Sequence, residues 1–308
     1  EAIEDGLGVV RAVVRPHDGV VAPEYLRAFS LAGDPADRRR WVLGVQREPV
    51  GRGADGRAGG RGGSALMHRA FREGRTVFVS KPRNHFPLDE SARRVWLFAG
   101  GSGVTPLMAM AHRLHALGTP FELHYSVASR AQAGFVDALS GGVPWHTRVH
   151  WHVKDEGGRA DLMQRVPPFE PGGRLYTCGS APYMDAVYAA AAARGWPEDA
   201  LHREYFQVPE APPPVNRRFT LRLAASGRRV DVPGERSATE ALAAAGVGVA
   251  TKCSDGLCGV CAQPYDAAAS DAIEHRDFVL SGAQRRERLI LCSSRARDEG
   301  GVIVLTGL

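Results

Sequence analysis

A chain of 308 residues is long enough for two or three domains, and its 44% of hydrophobic residues can form a sizeable core. The net charge of +5, from 39 basic and 34 acidic residues, gives no basic stripe of the kind that nucleic-acid binding needs. No apolar run is long enough to span a membrane, and the acidic start, EAIED, does not resemble a signal peptide. We therefore expect a cytoplasmic protein that binds neither nucleic acid nor membrane.

The first ninety residues are predicted to be mostly β-structure with one helix. β-branched and partly alternating residues predict strands at 9–14, 41–47 and 76–80. Residues 64–71 suit a short helix capped by Ser64. The glycine-rich stretch 51–63 is low in complexity and predicts a loop.

The pattern changes after Asp89 to alternating strands and helices. An apolar strand at 95–99 leads through a glycine-rich turn into a helix at 106–117, which Gly118 can cap. Further strands are predicted at 121–127, 149–153, 174–177 and 201–206, with a helix at 181–194. This alternation predicts a doubly wound parallel sheet, a fold that binds ligands where its strands end.

A proline-rich segment at 209–214 interrupts this alternation and is typical of a semi-rigid linker. Beyond it, the sequence predicts a hairpin at 218–232 turning at Ser226–Gly227, a helix at 238–245 and a final strand at 302–306.

Four of the five cysteines lie in the last part of the chain: Cys253, Cys258, Cys261 and Cys292. The Cys-x4-Cys-x2-Cys spacing with a distant fourth cysteine is that of plant-type [2Fe–2S] ferredoxins. Gly256 and Gly259 would let the loop fold around such a cluster. Structural zinc is the alternative, but the x4 spacing is unusual for zinc and a second Cys-x2-Cys pair is missing. Clustered cysteines of this kind indicate a reducing compartment.

Two turns follow predicted parallel strands and can approach a nucleotide. Residues 100–106 (GGSGVTP) place glycines and then a helix N-terminus where phosphate can bind. Residues 176–182 (YTCGSAP) form a similar strand-to-helix turn. An ordinary strand–helix connection is the alternative for the first turn. Cys178 taken alone is more often a small buried apolar residue than a reactive thiol.

Two short motifs in the β-rich part suit an anion and an aromatic ring. Arg27-Ala28-Phe29-Ser30 offers a guanidinium group for phosphate, a ring for stacking and a hydroxyl. Arg61-Gly62-Gly63-Ser64 precedes the predicted helix and can form an anion-binding nest.

Taken in this order, the motifs resemble the phthalate dioxygenase reductase family of the ferredoxin–NADP reductase superfamily, from Arg27 onwards. The tetrapeptide 27–30 matches the family's Arg-x-Tyr-Ser flavin motif, with Phe29 in place of tyrosine. The remaining correspondences are 61–64 with the FMN-phosphate loop, 82–86 with the segment closing the barrel, 100–106 and 176–179 with the nucleotide turns, 204–206 with the Glu-x-Phe motif, and 275–277 and Cys292 with the ferredoxin part.

The resemblance implies a multidomain protein. It implies an antiparallel FMN-binding β-barrel at 1–90, an NAD-binding α/β domain with a parallel sheet at 91–208, a linker at 209–216, and an α+β, β-grasp, plant-type [2Fe–2S] ferredoxin domain at 217–308. Few residues precede Arg27, so either the barrel is shortened or residues that complete it are absent from the printed sequence.

The resemblance also implies a set of site residues. FMN would be held by Arg27, Ala28, Phe29, Ser30, Val45, Gln46, Arg61, Gly62, Gly63 and Ser64. The nicotinamide nucleotide would be held by Gly101, Gly103, Thr105, Cys178 and Gly179, with the Phe206 ring near the flavin. The residues beside the reacting rings would be Ser30, Thr105, Cys178 and Glu204. The cluster ligands would be Cys253, Cys258, Cys261 and Cys292.

The implied activity is electron transfer from NADH through FMN and the cluster to a partner oxygenase. A flavin is required because a hydride carries two electrons whereas the cluster accepts one at a time. The resemblance favours NADH and FMN, although Ser129–Arg130 is also suited to the 2′-phosphate of NADPH.

Three hypotheses about the function remain open. A monomeric reductase serving a Rieske-type aromatic dioxygenase or O-demethylase is expected first. A partner, or a fused tail, of a cytochrome P450 is the close alternative. A ferredoxin-type electron carrier without a working flavin site is the alternative from another class, although it would leave the nucleotide turns without a role.

Overall fold

A computed structural model describes residues 9–16, 27–47, 63–79, 82–209 and 214–308. The chain divides into two compact units, residues 1–204 and residues 205–308. The first unit holds an antiparallel sheet and a parallel sheet, and the second holds a mixed sheet with two short ladders.

The antiparallel sheet of the first unit is built around its first strand. Its strands are β1 (Val9–Pro16), β2 (Arg27–Ser30), β3 (Val77–Val79) and β4 (Arg83–Phe86). Strand β1 pairs antiparallel with each of the other three. Helix α1 (Gly63–Ala70) precedes β3 and buries Met67. The strands predicted near 9–14 and 76–80 and the helix predicted at 64–71 are therefore confirmed.

The strand predicted at 41–47 is wrong. In this segment the described backbone forms a single bridge, between Leu31 and Leu43. At Gly44 the chain instead packs against Thr105 and Phe135: a Cβ there would lie 2.6 Å from Cγ2 of Thr105 and 2.9 Å from Cε2 of Phe135. These tertiary contacts override the β-propensity of the local sequence.

The second sheet of the first unit is five-stranded and wholly parallel, as predicted. Its strands are β5 (Arg94–Gly100), β6 (Phe121–Val127), β7 (Val149–Val153), β8 (Gly173–Cys178) and β9 (Leu201–Glu204). Their spatial order is β7-β6-β5-β8-β9. The chain builds outwards from β5 first on one side and then on the other, so a topological switch point lies at the carboxyl ends of β5 and β8.

Helices cover both faces of this sheet. They are α2 (Val104–Leu117), α3 (Lys154–Gly157), α4 (Leu162–Arg165) and α5 (Ala181–Ala193). Alternate residues of β5 serve the two faces: Leu97 packs in the cluster that contains α2, and Phe98 packs in the cluster that contains α5. Gly118 ends α2 in a left-handed conformation, as predicted. None of the described helices has the length and apolar character needed to cross a membrane.

The second unit has a three-stranded sheet and two ladders. The strands are β10 (Phe219–Leu223), β11 (Arg229–Val232), β12 (Ala262–Pro264), β13 (Ile273–Glu274), β14 (Arg288–Ile290), β15 (Arg295–Ala296) and β16 (Val302–Leu305). The helices are α6 (Ala238–Ala244) and α7 (Gly282–Arg285). The sheet order is β11-β10-β16, with β10 parallel to β16. The predicted hairpin, helix and final strand are confirmed.

Two leucines one turn apart on α2 test the core of the first unit. Leu114 is fully buried, whereas Leu117 is 40% exposed. We expect Leu114→Ala to lower the free energy of unfolding by about 2–5 kcal/mol and Leu117→Ala to change it by less than about 0.5 kcal/mol. All five tryptophans lie in the first unit, so tryptophan fluorescence in urea follows this unit alone. Equal losses in the two variants would contradict the packing described.

Candidate functional site

Three neighbouring strands of the parallel sheet end side by side. Ala99 of β5 pairs with Cys178 of β8, and Cys178 pairs with Glu204 of β9. The turns that follow β5 and β8 therefore start from the same edge of the sheet. This edge is where parallel α/β sheets bind their ligands.

The two turns touch through backbone atoms. A Cβ on Gly103 would lie 2.1 Å from the carbonyl oxygen of Cys178, and a Cβ on Gly179 would lie 3.1 Å from the Cα of Gly100. The φ of Gly103 is −62°, an ordinary value, so glycine is required there for space alone. Gly101 differs, because its φ of +55° is left-handed and a Cβ there would meet no atom within 4 Å. The turn thus presents open backbone to a ligand.

A buried polar pair joins the antiparallel sheet to this edge. The Ser30 hydroxyl of β2 donates a hydrogen bond to Oε2 of Glu204 at 3.0 Å. Ser30 is 3% exposed and Glu204 is 7% exposed. A buried carboxylate needs such partners, so this bond fixes β2 against the end of β9. Two residues predicted to lie beside the reacting rings are in direct contact.

The other two residues predicted to lie beside the reacting rings, Thr105 and Cys178, also lie at this edge of the parallel sheet. Thr105 is buried in the first turn of α2, where its hydroxyl donates to the Ser102 carbonyl at 3.0 Å. The side chain of Cys178 is fully buried. The structure therefore brings Ser30, Thr105, Cys178 and Glu204 to one end of the parallel sheet.

The residues predicted to hold the flavin are more dispersed. On β2, Ala28 is exposed and Phe29 is half-buried. The Val45 carbonyl lies 2.8 Å from Nε2 of His68 on α1, and Gln46 is exposed. The backbone of Arg27 starts β2. Gly63 starts α1 and is buried, and Ser64 after it is half-buried, whereas Arg61 and Gly62 lie outside the described residues. Phe206 is half-buried and belongs to the second unit.

Tyr183 is a site residue that sequence reasoning missed. Its ring packs against both glycine turns: a Cβ on Gly100 would lie 2.9 Å from Cδ1 of Tyr183, and one on Gly179 would lie 3.0 Å from it. Burial raises the pKa of Tyr183 to about 12, so its hydroxyl stays protonated. The sequence feature that could have identified Tyr183 is its position in the first turn of the helix that follows the Cys-Gly turn.

The arginine suited to a 2′-phosphate already has a partner. Nε of Arg130, three residues beyond the end of β6, donates to Oε1 of Glu156 at 2.8 Å. Its guanidinium group also lies over the Trp151 ring, 4.9 Å from the ring centre. Arg130 is thus held by an anion and an aromatic ring of the chain itself.

The four late cysteines are close together but are not arranged around one point. The thiol of Cys253 lies near the thiols of Cys258 and Cys292, and the thiol of Cys261 lies near that of Cys292. These neighbouring thiols lower the pKa of Cys253 and raise the pKa of Cys258 and Cys292. Within the described structure, no three of these sulfur atoms lie within 4.8 Å of one another.

This spacing separates the two metal alternatives. One tetrahedral zinc ion with bonds of about 2.3 Å would hold all four sulfurs roughly 3.8 Å apart. A [2Fe–2S] cluster instead holds two sulfurs on each iron, so that its two sulfur pairs lie farther apart. Four thiols of which no three lie within 4.8 Å of one another fit a two-iron cluster better than a single zinc ion.

The cysteine loop is shaped by its glycines and by a buried aspartate. Gly256 and Gly259 have φ of +74° and +66°, which explains the glycines in this motif. The side chain of Asp277 is fully buried and accepts hydrogen bonds from the Val279 and Leu280 N–H groups, at 3.1 and 2.7 Å. The next residue, Phe278, donates its N–H to the Gly256 carbonyl at 3.1 Å. The 275–277 motif thus supports the loop.

Comparison with known proteins places the chain in a family, although no family model matches it. The β subunit of phenoxybenzoate dioxygenase from Ectopseudomonas oleovorans is 41% identical over 277 residues, covering 89% of this chain and 81% of that protein. The solved structure of phthalate dioxygenase reductase is 32% identical with a TM-score of 0.59, covering 97% of this chain and 87% of that one. An intact type IV self-sufficient cytochrome P450 monooxygenase is 32% identical with a TM-score of 0.80, covering 97% of this chain and 36% of that one.

A parallel-sheet nucleotide domain and a four-cysteine cluster site on one chain define an NAD(P)H-dependent flavin iron–sulfur reductase, the electron-supplying component of an oxygenase system. The chain belongs to the phthalate dioxygenase reductase family, as its motifs indicated. FMN, NADH and a [2Fe–2S] cluster are the cofactors of this family. The multidomain fold with a parallel-sheet NAD domain is confirmed.

The contact between the two turns predicts the effect of adding one methyl group. Gly103→Ala should force the turns apart, and we expect NADH-driven flavin reduction to slow by roughly a hundredfold, the cost of a displacement of about 1 Å at a reacting centre. Gly157→Ala is the matched control, because a Cβ there meets no atom within 4 Å. Rapid-mixing measurements at the flavin band test this, and unchanged reduction in Gly103→Ala would contradict the account.

Proposed function

We propose that this reductase takes a hydride from NADH at the carboxyl edge of its parallel sheet and supplies electrons singly to a Rieske-type oxygenase. The observation that carries the proposal is the convergence of Ser30, Thr105, Cys178 and Glu204 at that edge. The same chain holds four cysteines in a ferredoxin arrangement.

The glycine turns are proposed to bind the dinucleotide. Gly101 presents open, left-handed backbone, and the N-terminus of α2 follows it at once. Donor groups and the helix dipole at this point favour the negative pyrophosphate. Gly103 and Gly179 keep the two turns in contact, so that Thr105 and Cys178 lie beside the nicotinamide.

The flavin is proposed to lie along β2. Phe29 would stack on the ring system, which needs an aromatic face and no tyrosine hydroxyl. Ser30, oriented by its bond to Glu204, would present its oxygen to the ring. Arg27 and the loop 61–64 would hold the phosphate, and Val45 and Gln46 would line the ring. FMN supplies the conversion from two-electron to one-electron transfer when it is bound.

The domain boundaries expected from the sequence remain part of the proposal. We assign 1–90 to an FMN-binding β-barrel, 91–208 to the NAD domain, 209–216 to a linker and 217–308 to a β-grasp ferredoxin domain. The four-stranded antiparallel sheet built on β1 and the mixed sheet β11-β10-β16 support the first and last assignments.

A Rieske-type aromatic oxygenase is proposed as the partner, with the reductase acting as a cytoplasmic monomer. The name of the phenoxybenzoate dioxygenase relative supports this choice. A second candidate is electron supply to a cytochrome P450, which the TM-score of 0.80 to a self-sufficient P450 favours. Substrate turnover with one purified oxygenase of each class separates the two.

The cluster ligands can be tested without disturbing the first unit. In Cys292→Ala we expect the cluster bands and the electron supply to an oxygenase to be lost, because one iron loses a ligand. Flavin reduction by NADH should stay at the wild-type rate, since its proposed residues Ser30 and Glu204 are unchanged.

Visible spectra and FMN extraction from both proteins complete this test. Wild-type protein that shows cluster bands but yields no flavin would instead indicate a ferredoxin-type carrier. Loss of flavin reduction in Cys292→Ala would contradict the separation of the two functions.

Preference for NADH is proposed to depend on Glu156. By holding Arg130, its carboxylate keeps this cation from pairing with a 2′-phosphate and would repel that phosphate. Glu156→Ala should raise kcat/KM for NADPH by roughly fivefold, as expected for an exposed ion pair, and leave that for NADH nearly unchanged. Glu198→Ala, an exposed glutamate just before β9, is the control. An unchanged ratio of the two kcat/KM values in Glu156→Ala would contradict this role.

A further inference from the structure

A cluster of three histidines and a glutamate lies on the parallel sheet, on strands β6 and β7. Glu122 and His124 are on β6, and His150 and His152 are on the neighbouring strand β7, where His124 pairs with His150. The side-chain ligand atoms of Glu122, His124 and His150 lie within 4.8 Å of one another. Neither the proposed hydride transfer nor the cysteine cluster uses any of these residues.

The distances within the cluster suit a metal ion. Oε2 of Glu122 lies 3.4 Å from Nε2 of His124 and 3.8 Å from Nε2 of His150. Ligand atoms bound at about 2.1 Å to a tetrahedral zinc ion lie roughly 3.4 Å apart. The His150 ring stacks on the His124 ring with centres 4.8 Å apart, so His150 must rotate for both Nε2 atoms to face one ion. His150 lies on the edge strand of the sheet, where such a rotation is least hindered.

One nitrogen of the cluster is buried without a hydrogen bond. The His124 side chain is 5% exposed, and its Nε2 has no hydrogen-bond partner within the described structure. A buried polar atom of this kind costs free energy unless something binds it. The His124 ring is also fixed, because it stacks on Phe98 with ring centres 4.7 Å apart. Oε2 of Glu122 lies 3.4 Å from this nitrogen without accepting a hydrogen bond from it.

We propose that Glu122, His124 and His150 form a binding site for a divalent transition metal ion such as Zn²⁺, joining strands β6 and β7. Two imidazoles and one carboxylate suit zinc and similar ions, whereas Mg²⁺ prefers oxygen ligands alone. Three protein ligands leave a fourth position for water. His150 is 44% exposed at its side chain, so an ion can reach the site from solvent.

Residues around the three ligands have the roles that metal sites require. Nδ1 of His124 lies 3.1 Å from Nε2 of His152, so a proton on Nδ1 leaves Nε2 free to bind metal. Arg94 donates to Oε1 of Glu122 at 2.6 Å and leaves Oε2 facing the histidines.

Zinc binding to the purified holoenzyme tests the proposal directly. Equilibrium dialysis with metal analysis should find one zinc ion per chain at submillimolar Zn²⁺, and no comparable uptake of Mg²⁺. His150→Ala should weaken this binding by about tenfold or more, and Glu122→Gln should weaken it similarly. His115→Ala, an exposed histidine on α2, is the matched control and should bind like the wild type.

Thermal unfolding gives a second readout that does not depend on activity. Because a ligand that binds only the folded state stabilises it, zinc should raise the tryptophan-detected unfolding temperature of the wild type and of His115→Ala but not of His150→Ala. The cluster bands are recorded alongside. Zinc uptake that is equal in His150→Ala, that occurs only with loss of cluster iron, or that is absent would overturn the proposal.

Discussion

The nucleotide edge of the protein depends on one close backbone approach, between Gly103 and the carbonyl of Cys178. A Cβ at Gly103 would lie 2.1 Å from that oxygen, so no other residue fits without moving a strand end. This approach, with the pairing of Cys178 and Glu204, sets where the turns after β5 and β8 lie. The Ser30–Glu204 hydrogen bond then brings β2 to the same place. Positioning of this kind is what hydride transfer asks of a protein, since no acid–base group is strictly required.

The cysteine site obeys a different constraint, which is the spread of its sulfur atoms. Four thiolates around a single ion would lie at nearly equal distances, whereas a bridged pair of irons separates them into two pairs. The left-handed glycines Gly256 and Gly259 and the buried Asp277 shape the loop that carries three of these cysteines. Together with the nucleotide edge, this site is the basis of the proposed path from a hydride donor to a single-electron acceptor.

Much of this could be predicted from sequence, because the motifs are local. The parallel sheet follows from alternating strands and helices, and the Cys-x4-Cys-x2-Cys spacing specifies its own loop. The strand predicted at 41–47 failed because a contact distant in sequence, Gly44 with Thr105, decides its conformation. The Ser30–Glu204 bond spans 174 positions, and the Tyr183 and Glu156 contacts likewise depend on tertiary packing, so no local pattern could predict them.

The most direct test of the account is the order in which the two chromophores respond to NADH. Purified protein is mixed rapidly with NADH in the absence of oxygen, and the flavin and cluster bands are followed separately. The account predicts that the flavin band bleaches first and that the cluster band follows from it. Bleaching of the cluster while the flavin remains oxidised, or no response to NADH, would contradict the account.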